Sequence, residues 1–134
     1  MIGHAKRRNI PGSIIYHAAA IGNVQLLPGS FDVIITPFLF DNFTQWECDS
    51  AFRLLHHSLA HKGRWLFTDF QQTRRLWHKM LLRSMYLFFG LLAGIKARSL
   101  PDTAGLFSMA DYEILDEQKF MKGFIVSSVF EKGE

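Results

Sequence analysis

Phe31-Asp32-Val33-Ile34-Ile35, leading into Thr36-Pro37-Phe38, is the stretch on which the fold of this chain turns. It is short, β-branched and continuous rather than alternating, which is the pattern of a strand buried on both faces of a parallel sheet. Pro37 ends it, because proline has no N–H to give to a central ladder. Upstream, Gly22 to Ser30 is a connector that closes on Pro28-Gly29-Ser30, and Ser13 to Ala20 opens with a strand-like run, Ile14-Ile15-Tyr16. Met1 to Asn9 reads as the end of a helix, with Lys6, Arg7 and Arg8 near the negative end of its dipole and Pro11-Gly12 as its stop.

Downstream, Glu47 to His61 carries Ala51, Phe52, Leu55 and Leu59 at helical spacing, and Lys62-Gly63 is expected to close that helix. Arg64 to Phe70 is a second buried strand. Gln71 to about Ile95 reads as a helix broken or bent near Gly90, with Leu100-Pro101-Asp102 as the exit. Thr103 to Met109 is a short helical turn. Tyr112 to Phe120 and Gly123 to Lys132 are strands joined through Met121-Lys122, a link too short for anything but antiparallel pairing. The expected class is therefore α/β, with a mostly parallel sheet that ends in an antiparallel hairpin.

The bulk numbers narrow the function. With 134 residues, 49% apolar and 20% charged, the chain is one domain's worth of globular protein. The net charge of +3 is scattered, with no basic stripe interleaved with aromatics, so no nucleic-acid partner is expected. A single cysteine, Cys48, excludes an intrachain disulfide and fits a reduced, cytoplasmic setting. Met80 to Ile95 is greasy but interrupted by Arg83 and Ser84, and its uncharged part falls short of the roughly twenty residues of a spanning helix. No transmembrane segment is expected, and the stretch reads as a buried or lid helix, with a helix lying on a membrane or a greasy substrate as the alternative.

In order and spacing, these pieces resemble the second part of a class I (Rossmann-like) S-adenosylmethionine-dependent methyltransferase. Phe31 to Ile35 is similar to the family's fourth strand, Ala51 to Gly63 to the helix and Lys-Gly turn before the fifth, and Trp65 to Phe70 to the fifth strand itself. Phe120 to Lys132 looks like the sixth and seventh strands. Met1-Ile2 and Ala5-Lys6 resemble the helix after the second strand, so Met1 is suspected to be internal to a longer reading frame. The resemblance implies a truncated domain over residues 1–134, from the third strand onward. The family grips its cofactor with a glycine-rich turn and an acidic residue on the first two strands; no Gly-x-Gly occurs in this chain. The resemblance also implies a sheet order of third, second, first, fourth, fifth, seventh, sixth. Loss of the first two strands would leave a gap of three spacings at about 4.8 Å each. Direct pairing of Ile14–Tyr16 beside Phe31–Ile35 is the expected solution, with self-association through an exposed strand edge or poor stability as the alternatives.

By the same resemblance, the cofactor S-adenosylmethionine would meet Ala20 and Ile21 after the third strand and Thr36, Pro37 and Phe38 after the fourth. Ala20 stands where the family usually presents an acid to the adenine amino group, and it accepts no hydrogen bond. Asp41, Trp46 and Asp69 are the candidate substrate contacts, although capping the coming helix is the commoner use of a residue such as Asp41, and Asp69 serves equally as a cap. His57 and His61 are four apart, but with His56 they are expected on a solvent-facing stripe, and no metal site is expected. No single catalytic residue is legible, because methyl transfer from a sulfonium depends chiefly on alignment and desolvation. The expected function is methyl transfer to an unidentified small-molecule or apolar acceptor, with this chain alone inactive. The alternative is a non-catalytic remnant that binds a partner chain or a membrane surface.

Overall fold

The computed structural model describes residues 13–15, 17–71, 79–85, 87 and 100–134. Four strands form one sheet: β1 (Phe31–Pro37), β2 (Leu59–Phe70), β3 (Tyr112–Phe120) and β4 (Ile125–Lys132), in the spatial order β1-β2-β4-β3. β1 and β2 run parallel, with Ile34 opposite Trp65 and Thr36 opposite Phe67. β4 is antiparallel to both β2 and β3. The parallel pair with a terminal antiparallel hairpin is the sheet expected from the sequence.

Helix α1 (Gln45–Ser58) crosses from β1 to β2 and starts on a complete capping box. Thr44 Oγ1 accepts from the Glu47 amide at 3.4 Å, and the Glu47 carboxylate accepts from the Thr44 amide at 2.9 Å. Both orphan donors are satisfied reciprocally. Thr44→Ala is therefore expected to lower stability by about 1 kcal/mol in urea unfolding. The helix turns Cys48, Ala51, Phe52, Leu55 and Ser58 onto the sheet, three or four residues apart. Its end lies three residues earlier than the sequence suggests. Leu59 is buried and already extended, and Lys132 Nζ, reaching across from β4, donates to the carbonyls of His56 and Leu59 at 2.7 and 2.8 Å. A long-range cation thus ends the helix, while Lys62-Gly63 becomes an irregularity inside β2, with Lys62 in the left-handed region. Consequently His57 and His61 do not share a helix. His56 is not on a solvent stripe: its Nδ1 lies 3.0 Å from the Tyr112 hydroxyl.

Short helix α2 (Thr103–Met109) is capped by Asp102, whose side chain accepts from Gly105 N. It drives Phe107 into the core, where its ring stacks on Phe130 at 3.9 Å. Phe52, Trp65, Phe67 and Tyr112 surround that pair. Among the described residues, the core cluster lies on the α1 face of the sheet.

The opposite face corrects one expectation. Ile34 is 7% exposed, but Val33 and Ile35 are 48% and 64% exposed, so β1 is buried on one face and not on both. Continuous β-branching records what the strand can tolerate; it does not say whether a second layer covers it. Among the described residues, Ile14 and Ile15 do not pair beside β1 as expected. Ile14 and Ile15 form no strand, Tyr16 lies outside the described residues, and among the described residues β1 is an edge. The helix expected over Gln71 to Ile95 falls largely outside the described residues; 79–85 is helical. No helix among the described residues is long and apolar enough to cross a membrane.

Candidate functional site

Parallel α/β sheets bind ligands beyond the carboxyl ends of their strands. Here that corner is built where β1 and β2 end side by side. The chain leaves β1 through Phe38, whose amide donates to the Thr68 carbonyl at 2.7 Å and whose φ is 50°. A left-handed phenylalanine is uncommon and costs on the order of 1 kcal/mol. The following residues, Phe40–Asn42, form a single 3-10 turn.

Asp69, the penultimate residue of β2, faces this turn and is 2% exposed. Its Oδ2 accepts from the amides of Phe40 and Asp41 at 3.0 and 3.2 Å, and its Oδ1 accepts from the Phe70 amide at 2.8 Å. Asn42 secures the turn from the other side, donating to the Phe38 carbonyl and to Asp41 Oδ1. Phe40 is fully buried beneath the turn, its ring against Phe67 and Trp65.

Two buried carboxylates thus sit at one corner. Burial, and then the charge of Asp69, pushes Asp41 up to about 7 against the pull of nearby backbone amides. Burial pushes Asp69 up to about 6, opposed by the three N–H groups it accepts from. Cys48 is buried below them, and its thiol is raised to about 12 by burial and then by Asp49, Asp69 and Asp102. That thiol is not a nucleophile near neutrality.

Of the residues expected at the site, Thr36, Pro37, Phe38, Asp41 and Asp69 come together at this corner. Thr36 turns inward, and its hydroxyl accepts from Trp65 Nε1 at 2.8 Å. Ala20 precedes the 3-10 turn Ile21–Asn23, and Ile21 packs on the core beside α1. Trp46 stands 74% exposed on the first turn of α1. Phe70 was not anticipated. Its ring lies 5.1 Å from that of Phe38, and it opens onto a depression of about 330 Å3 lined also by Gln45, Gln71, Leu100 and Pro101. The signal for it was its place next to Asp69 at a strand end. A larger depression, about 550 Å3 around His57, His61 and Lys132, lies at the amino end of β2 and the carboxyl end of β4, away from this corner.

No family model matches the chain, and no curated protein matches it. Solved structures do. An S-adenosylmethionine-dependent methyltransferase from Mesorhizobium loti superposes with a TM-score of 0.69 at 14% identity, over 98% of this chain and 76% of its own. The 1,6-didemethyltoxoflavin-N1-methyltransferase of Burkholderia thailandensis, solved with 1,6-didemethyltoxoflavin and S-adenosylhomocysteine, gives 0.61 at 12%, over 88% of this chain and 50% of its own. A possible exported protein from Bordetella parapertussis gives 0.62 at 11%, over 88% and 44%. The chain spans half or less of the last two.

Proposed function

From the premise that this sheet has the class I methyltransferase-like fold, we propose that the chain forms the acceptor side of an S-adenosylmethionine-dependent methyltransferase. The observation that carries the reading is the sheet itself. The order β1-β2-β4-β3 reproduces fourth, fifth, seventh, sixth, and the buried Asp69 and Asp41 stand at the carboxyl ends of its parallel pair.

The corner fits the methionine end of the cofactor. Its strand exits offer backbone groups, an aromatic ring at Phe38 and buried carboxylates whose negative potential suits a sulfonium cation. The adenosine end is matched less well, since Ala20 brings no acceptor and no Gly-x-Gly turn is encoded within the 134 residues. When bound, S-adenosylmethionine supplies a methyl group activated by positive sulfur. Pro37 and Phe38 would line its path, and Phe70 with Gln45 and Gln71 would seat a small acceptor in the adjoining depression. Strands carrying a glycine turn would dock on the edge that β1 forms among the described residues, where a helix layer would also cover Val33 and Ile35. The fold gives no separate support to the reading of a membrane-peripheral or purely partner-binding remnant.

Ultraviolet cross-linking with methyl-labelled S-adenosylmethionine tests the reading without knowledge of the acceptor. Label on the chain that excess S-adenosylhomocysteine competes away is the expected result. Label that the competitor leaves unchanged would overturn the assignment.

A further inference from the structure

We propose that Asp69 is a positioning residue that fixes the gap between the exits of β1 and β2, and so the shape of the ligand corner. The proposal rests on the methyl-transfer reading for its functional consequence, and on geometry alone for its structural one.

A single buried carboxylate reaches both exits. Oδ2 binds the β1 side through the Phe40 and Asp41 amides, and Oδ1 binds the β2 side through the Phe70 amide. Asp69 therefore holds its own strand end to backbone that lies 29 and 28 residues earlier in the chain. Beyond its last backbone bond to β2, from the Phe38 amide to the Thr68 carbonyl, the turn has no ladder of its own. The clamp takes over at that point, and it holds Phe38 in its left-handed conformation with its ring outward against Phe70. Near neutrality, above its raised value of about 6, Asp69 is ionised, and hydrogen bonds to an ionised acceptor are individually the stronger kind. Three of them converge on a group that α1 and the core shield from water.

An amide in place of the carboxylate has the same volume, but it cannot accept on both atoms. One exit must then face an N–H with another N–H. The gap would widen there, and misplacement of a ligand by about 1 Å is enough to cost about a hundredfold in a reaction that depends on alignment.

Asp69→Asn in the full chain, followed by amide hydrogen exchange and S-adenosylhomocysteine titration, tests the proposal. In the native chain the Phe40 and Asp41 amides should exchange slowly. In the variant, the amides of one exit should exchange about tenfold faster or more while the core amides of β2 and β4 stay protected, which is a loss of about 1.4 kcal/mol of local protection. The native chain's chemical-shift response to S-adenosylhomocysteine should weaken about tenfold in the variant. Should Asp69→Asn fail to fold, Asp69→Ser, which keeps one acceptor oxygen and admits water, carries the same expectation. Retained protection at Phe40, Asp41 and Phe70 would overturn the proposal, as would uniform acceleration across the whole sheet. A native chain silent to S-adenosylhomocysteine would overturn the methyl-transfer reading alone, and the exchange experiment would still decide the role of Asp69.

Discussion

Trp65→Ala is expected to destabilise the chain by about 4 kcal/mol or more, a large share of what a domain of this size has to lose. Trp65 is fully buried, with its ring 5.2 Å from Phe52 and 5.1 Å from Phe107. Its truncation leaves a cavity at the point where α1, α2 and the sheet meet. It also removes the indole N–H that bonds Thr36 Oγ1, stranding the hydroxyl of a residue that is 5% exposed. A buried polar atom left without its partner adds roughly 1–3 kcal/mol to the loss. Trp46→Ala is the matched control, since Trp46 is 74% exposed and its loss should stay within about 0.5 kcal/mol. Urea unfolding followed by far-ultraviolet circular dichroism measures both. Similar midpoints for the two variants would mean that the aromatic cluster does not organise the core.

The pH dependence of stability should run opposite to the usual acid sensitivity of proteins. Asp41 and Asp69 have folded values of about 7 and about 6, above their ordinary 3.8, because burial disfavours their charges. The folded chain therefore binds these protons more tightly than the unfolded chain. Their stabilising contribution is complete below the unfolded value and is lost as the pH rises through the folded ones. At about 1.4 kcal/mol per unit, a fall of several kcal/mol is expected between about pH 4 and pH 7. His56 acts in the other sense. Burial, then Lys132 and His57, lowers its value, so what it contributes is lost as the pH falls below its ordinary 6.5. Urea midpoints measured across this range should decline toward neutrality, and the double variant Asp41→Asn, Asp69→Asn should flatten the decline. Midpoints that rise steadily from pH 4 to pH 7 would show that the two carboxylates are not buried as charges.

Much of the sheet was legible because local signals and order agreed. The β-branched run before Pro37, the apolar spacing of Ala51, Phe52 and Leu55, and the short link at Met121-Lys122 each fix one element. Their sequence on the chain then leaves few topologies open. The misreadings share a physical origin in contacts distant along the chain. The end of α1 depends on Lys132, more than seventy residues away. The exposed face of β1 depends on layers that the strand's own residues do not encode. Asp69 reads equally as a cleft-facing residue or as a cap for a following helix, and it is register that turns it toward the exit of β1, where it meets Phe40 and Asp41. Thr36, Phe38 and Asp41 were legible as a group because they lie within six residues of one strand end. Phe70 was less so: its place next to Asp69 is a signal, but only the fold sets it beside Phe38.

Titration of the isotope-labelled chain with S-adenosylhomocysteine, read amide by amide in nuclear magnetic resonance spectra, bears most directly on where this fold binds its ligand. Shifts confined to Thr36–Asn42 and Asp69–Gln71 are expected, with an affinity weakened by the absence of a glycine turn from the 134 residues. Shifts centred instead on His57, His61 and Lys132 at the far end of β2, or no shifts at all, would contradict the assignment of a cofactor corner to the ends of β1 and β2.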